Sequence, residues 1–189
     1  MIDAWQTVDF NEGAAEQQET AQFLTFWLGS QSYALAVSEV QEIRATGTWS
    51  TLPGSPAWVL GVMNLRGLVI PLFDLRIRFS IAAGEHHSAA PVLIVVASRG
   101  KLAGLVVDAV MDVTDIPKQS IRPAGGKASV DARCVSGVAS LGDSVVILLD
   151  AAALMIWEGE PGPGAPDKDL QSLAEGVEQE GVNDVAVVQ

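Results

Sequence analysis

One stretch of this chain occurs twice. VLGVMNLRGLVIPLFD at 59–74 aligns without gaps on VSGVASLGDSVVILLD at 135–150, with Val, Gly, Val, Leu, Val, Leu and Asp shared at matching places. A second pair precedes each copy. FLTFWLGSQSYALAVSEVQEI (23–43) matches VLIVVASRGKLAGLVVDAVMDV (92–113), both reading as strand, polar turn, strand and Val-x-x-Val. An internal repeat restricts the fold to two similar units. Each copy is too small to bury an adequate core alone, so each needs its neighbour. The repeat predicts two lobes, at about 22–80 and 90–150. It breaks where Arg66 stands against Gly142 and Pro71 against Ile147.

Between residues 22 and 157 the pattern is mostly strand. FLTFWLG, SYALAV, GVMNL, LVIPLFDL, PVLIVVAS, LAGLVVDAV, VSGVASL and SVVILLD are short, β-branched or aromatic, and bounded by Gly, Ser, Asp or Pro. Several are apolar on both faces and are expected to be buried on both. GSQS, LRGL, SRGK and LGDS read as hairpin turns. Helical signals are few: VSEVQEI with Ser38 as N-cap, PAWVLG with Pro56 at its first position, and AAALMIW after Asp150. Short strands punctuated every eight to twelve residues or so predict an all-β barrel or sandwich.

The net charge of −12 lies in the ends of the chain. Residues 1–21 hold Asp3, Asp9, Glu12, Glu16 and Glu19 with no base, giving −5; residues 158–189 hold eight acids against Lys168, giving −7. Residues 22–157 are therefore neutral. Both ends read as acidic tails, the second Pro/Gly-rich at its start, with too little apolar content to form a core. Trp5 and Phe10 in the first are stray aromatics or a short docking motif. No basic field exists for a nucleic acid. Cys134 is the only cysteine, which suits a reducing compartment. The N-terminus lacks a secretory pattern and no apolar run is long enough to span a membrane, so the expected location is cytoplasmic.

A search for reaction chemistry yields little. His86 and His87, beside Glu85, are adjacent residues pointing in divergent directions, without ligand-spaced partners elsewhere; a solvated loop is expected. AGGK at 124–127 lacks the spacing of a phosphate loop. Cys134 follows Arg133, which could lower its pKa, but a buried, inert thiol is the simpler reading. Asp74, Asp108, Asp112 and Asp150 sit at strand ends, where capping and turns explain them. No catalytic, metal or cofactor residue is assigned. Binding remains. Arg66 stands at a hairpin tip, with Gly67 supplying the conformational freedom of a tight turn. Alone it would be a solvated turn residue. Asn64, Arg66, Arg76 and Arg78 crowd one segment, however, and such a cluster can fork onto a partner's carboxylates or carbonyls. Pro71 suggests an edge strand or bulge beside apolar surface.

GVMNLRGLVIPLFDLRIRF (61–79) resembles the signature of the CheW family, the coupling proteins of bacterial chemotaxis. FLTFWLG, VSEVQEIR (37–44), LAGLVVDAVMDV (102–113), IRPA (121–124) and VSGVASLGDSVVILLD extend the likeness, in order, over nearly all of 22–157. The resemblance implies a mainly β fold of two packed SH3-like five-stranded barrels with few short helices, a closing helix lying at about 150–157. It implies a non-enzymatic adaptor bridging transmembrane chemoreceptors to the histidine kinase CheA, recruited to the inner membrane through receptor arrays. The receptor tip would lie in the groove between barrels, and the kinase's regulatory domain or another copy on barrel edges. By resemblance, Val40, Glu42 and Arg66 fall at partner-binding positions, with Asn64 in the same turn. Val110 and Val113 fall on the groove side of the second barrel, and Arg122 near the contact between neighbouring subunits in a ring. The chain departs from the family after IRPA, where Gly125, Gly126 and Lys127 replace a large apolar residue. Two alternatives are a coupler in a related CheA-like pathway such as twitching motility and, more remotely, an SH3-like nucleic-acid binder.

Overall fold

The computed structural model describes residues 19–82, 84, 91–124, 132–142 and 144–156. Trp5, Phe10, His86, His87, Gly125 to Lys127 and the acidic stretch from 158 onward lie outside the described residues. The described chain runs β1 (Thr20–Leu28), β2 (Gln31–Ala36), β3 (Val40–Ala45), β4 (Val59–Leu65), β5 (Leu68–Asp74), α1 (Leu75–Arg78), β6 (Val92–Ser98), β7 (Lys101–Val107), β8 (Ala109–Pro117), β9 (Val135–Leu141), β10 (Ser144–Leu149) and α2 (Ala151–Leu154).

The strands form two five-stranded sheets, ordered β3-β6-β7-β5-β4 and β8-β1-β2-β10-β9. We call them barrel one and barrel two. They cut across the sequence repeat, so the expected contiguous lobes at 22–80 and 90–150 are corrected. The first hairpin of each copy joins the last three strands of the other. Non-local parallel pairs make the exchange: β5 with β7 through Leu72 opposite Gly104, and β10 with β2 through Ile147 opposite Tyr33. This is how each copy meets its need for a neighbour.

The shared residues of the repeat now have reasons. Ser50 and Val62 exchange backbone hydrogen bonds of 2.8 Å, closing barrel one; Arg122 and Val138 do the same in barrel two. Gly61 and Gly137 precede those bridges and make room for them. A Cβ on Gly61 would lie 1.9 Å from the Ser50 carbonyl oxygen, and one on Gly137 2.8 Å from that of Arg122. Asp74 and Asp150 are equivalent helix caps. Asp74 Oδ1 accepts from Arg76 N–H (2.9 Å) and Ile77 N–H (3.1 Å), and Asp150 Oδ1 from Ala153 N–H (3.1 Å).

Three local expectations change. VSEVQEI is a single 3-10 turn at Val37–Glu39 followed by β3, because its apolar residues pair with β6. PAWVLG is a turn running into β4, paired with β5. Pro71 lies in an interior strand; it is tolerated because the β7 ladder starts only at Leu72. α1 was not expected, although Asp74 caps it as Asp150 caps α2.

One core spans both barrels. Phe26 and Tyr33 of barrel two meet Phe73, Ile94 and Leu105 of barrel one and Phe79 beyond α1. The Tyr33 ring stacks between Phe26 (6.3 Å) and Phe79 (6.1 Å). Asp108, fully buried where the chain passes from β7 to β8, accepts from Gly29 N–H (2.7 Å) and pairs with Arg76 Nη1 (3.2 Å). It therefore ties α1, the β1–β2 turn and the crossover together. Cys134 is buried, as expected.

Candidate partner-binding site

The Arg66 turn is a two-residue hairpin loop in which Leu65 faces Leu68. Arg66 and Gly67 both have positive φ, 55° and 88°, the pattern of the hairpin turn whose twist suits its strands. Gly67 was expected to carry that freedom; Arg66 carries it as well. Asn64 stabilises the loop from within, its Oδ1 accepting from Gly67 N–H at 2.8 Å.

The side chain of Arg66 is 80% exposed, yet it has a partner. Its Nη2 lies 2.5 Å from Glu42 Oε2 on β3, which is 22% exposed. Glu42 Oε1 accepts no hydrogen bond and lies 3.6 Å from Arg44 Nη1. Two guanidinium groups thus share one carboxylate, and the set keeps one net positive charge. Glu42 and Arg66, expected separately as partner-binding residues, form one unit across the seam between β3 and the β4–β5 turn. Their exposed pairing contributes little to stability, about 0–1 kcal/mol.

Arg76 and Arg78 do not belong to this surface, which corrects the expected arginine cluster. Arg76 holds Asp108 and lies 3.8 Å from Asp74. Arg78 donates to the Leu154 carbonyl and to those of Ala153 (3.4 Å) and Ile156 (3.2 Å), closing the end of α2. Its guanidinium lies 4.2 Å over the Trp58 ring. Both forks grip their own protein.

Val40 and Val110 are equivalent in the repeat and pack, half-buried, on the shared core. The pairing register shifts beside each, between Val40 and Glu42 on β3 and opposite Leu24 and Phe26 on β1. Each bulge re-aims the next residues outward. In barrel two this leaves Met111 and Val113 exposed, 46% and 47%; Met111 was not anticipated. Asp112, the counterpart of Glu42, has no arginine across its seam because Gly142 replaces Arg66. Its Oδ1 accepts from Val113 N–H (2.7 Å) instead. The structure therefore separates the expected residues into two sets. Val40, Glu42, Asn64 and Arg66 lie on barrel one; Val110, Val113 and the exposed Arg122, on the bridge to β9, lie on barrel two.

The CheW-like domain pattern matches residues 22–158, most of the chain. The chain belongs to the CheW family. It is 34% identical over 138 residues to the chemotaxis protein CheW of Klebsiella aerogenes, covering 72% of this chain and 82% of that one. A probable chemotaxis protein CheW of Rhizobium etli is 32% identical, covering 72% and 88%. The crystal structure of the scaffolding protein TtCheW from Thermoanaerobacter tengcongensis superposes with a TM-score of 0.69 at 30% identity, covering 78% of this chain and 96% of that one. The two five-stranded sheets are thus the SH3-like barrels of a CheW fold. Among the described residues no helix is long and apolar enough to cross a membrane.

Proposed function

We propose that this CheW-family scaffold couples a transmembrane chemoreceptor to the histidine kinase CheA in chemotaxis signalling, without a reaction of its own. One observation carries the reading: two near-equivalent barrels carry different exposed chemistry at matching places. Barrel one has a charged tip, Arg66 steadied by Glu42. Barrel two has an apolar pair, Met111 and Val113, where barrel one has Gln41 and the equally exposed Ile43. An adaptor holding two different proteins at once needs this asymmetry. The carboxylates a reaction might have used have structural work, as caps at Asp74 and Asp150 and as a clamp at Asp108.

In this reading the receptor's helical tip lies against β8 at Val110 and Val113, and the kinase engages barrel one around Val40, Glu42 and Arg66. Asn64 shapes the turn and acts through it. Arg122 is assigned to contacts between neighbouring copies, and recruitment to the inner membrane follows from the receptor. The test is co-sedimentation of the full chain with receptor-bearing membranes and CheA, scored as kinase activation. Recovery of all three in the pellet with raised kinase activity is expected; a chain left in the supernatant contradicts the reading.

A further inference from the structure

Among the described residues, the four hairpin tips share a left-handed first residue but not its identity. The first loop residue is left-handed in each: Gly29 at φ 59°, Arg66 at 55°, Arg99 at 52° and Gly142 at 58°. Both tips of barrel two use glycine, and both tips of barrel one use arginine. Packing dictates only Gly29, where a Cβ would lie 2.8 Å from the Ala82 carbonyl oxygen. At Gly67, Gly100 and Gly142 a Cβ would meet no atom within 4 Å, so these loop ends are open. A side chain in this conformation costs about 1 kcal/mol, and glycine, asparagine or aspartate usually fill it. Barrel one accepts that cost twice, without a packing return.

The two arginine turns open at the same end. β5 and β7 are parallel neighbours, and each begins directly after one of the two turns. Exposed Lys101 begins β7, and Arg44 flanks from β3. Glu42 offsets one of these charges.

We propose that Arg66 and Arg99 form one anion-binding surface, and that the chain's own acidic segment 158–189 docks there when no partner is present. Charge complementarity is direct: residues 22–157 are neutral overall, and 158–189 carry −7. The segment leaves the described residues just beyond Ile156, whose carbonyl accepts from Arg78. Asp167 and Asp169 follow Ile156 by about a dozen residues, a reach of up to about 40 Å. Tethering supplies an effective concentration of about 1 mM, so weak ion pairs suffice. Competition with a partner for Arg66 then follows; that consequence rests on the function proposed above, whereas the docking does not.

The test needs no partner. A nitroxide is attached to the full chain at Ser172→Cys, Cys134 being buried, and amide relaxation is followed by NMR. Enhancement is expected at Arg66–Gly67 and at Arg99–Gly100. It should vanish in about 0.5 M salt, where surface charges are screened, and in the Arg66→Gly/Arg99→Gly double variant, whose glycines suit the turns. Enhancement at only one turn overturns the two-arginine surface. No enhancement, or enhancement indifferent to salt and variant, overturns the docking and leaves the arginines to an acidic segment of another protein.

Discussion

Barrel one and barrel two are built from the same pattern and differ where the pattern is broken. Both close through a bridge beside a glycine, at Ser50–Val62 and Arg122–Val138. Both end in an aspartate-capped helix. At matching places barrel one then has arginine tips and a paired Glu42, and barrel two has glycine tips and a locally satisfied Asp112. Repeated residues maintain the barrel, and residues that differ between copies give each barrel its own surface.

The comparison breaks most readily at the crossover. Asp108 and Ser38 occupy equivalent places after Val107 and Val37, but Asp108 is a buried clamp and Ser38 is exposed. Asp108→Ala should destabilise by about 3 kcal/mol, since it removes the buried carboxylate that Gly29 N–H and the half-buried Arg76 share. Ser38→Ala should stay within about 0.5 kcal/mol. Urea unfolding of both variants reads the difference; equal losses would mean that the clamp is not specific to one copy.

Barrel closure can be sharpened with its paired glycines. Gly61 has φ 141° and a Cβ position 1.9 Å from backbone, whereas Gly137 meets backbone at 2.8 Å without positive φ. Gly61→Ala should cost about 2–3 kcal/mol and Gly137→Ala about 1 kcal/mol. Thermal melts that rank them in reverse would show that the two bridges are not built alike.

The smallest effect lies at Glu39. Burial, and then the nearby Asp150 carboxylate, raise its pKa above the ordinary value, opposed by the hydrogen bonds from Ala151 and Ser98. A raised carboxyl pKa favours the folded state below the unfolded pKa and loses that advantage as pH rises through the folded value. Glu39→Gln should therefore raise the melting temperature slightly at pH 7, with the gain shrinking toward pH 4. A gain that grows on acidification would contradict the sign.

Much of this was legible in the sequence. Alternating apolar runs and the turn tetrapeptides marked the strands, and the repeat marked two units. The exchange of hairpins was not legible, because non-local parallel pairing leaves no mark in local pattern. VSEVQEI read as helical because one turn of 3-10 helix and a bulged strand produce similar spacing. Arg66 stood out as a break in the repeat. Its pairing with Glu42 did not, being closed by the barrel across 24 residues. Arg76 and Arg78 were grouped with it by proximity in sequence alone; α1 turns both inward. SRGK carries no sequence signal beyond that of a turn, so Arg99 is not marked there.

The central claim is that barrel one departs from barrel two in order to bind. It is tested most directly by Arg66→Gly, which restores the composition of barrel two at that tip. Melting should stay within about 1 kcal/mol of the wild type, since relief of the left-handed side chain offsets a weak surface ion pair. Co-sedimentation with receptor membranes and CheA should weaken by about thirtyfold, equivalent to about 2 kcal/mol at a desolvated anchor. A folded Arg66→Gly chain that assembles and activates kinase like the wild type would contradict the account.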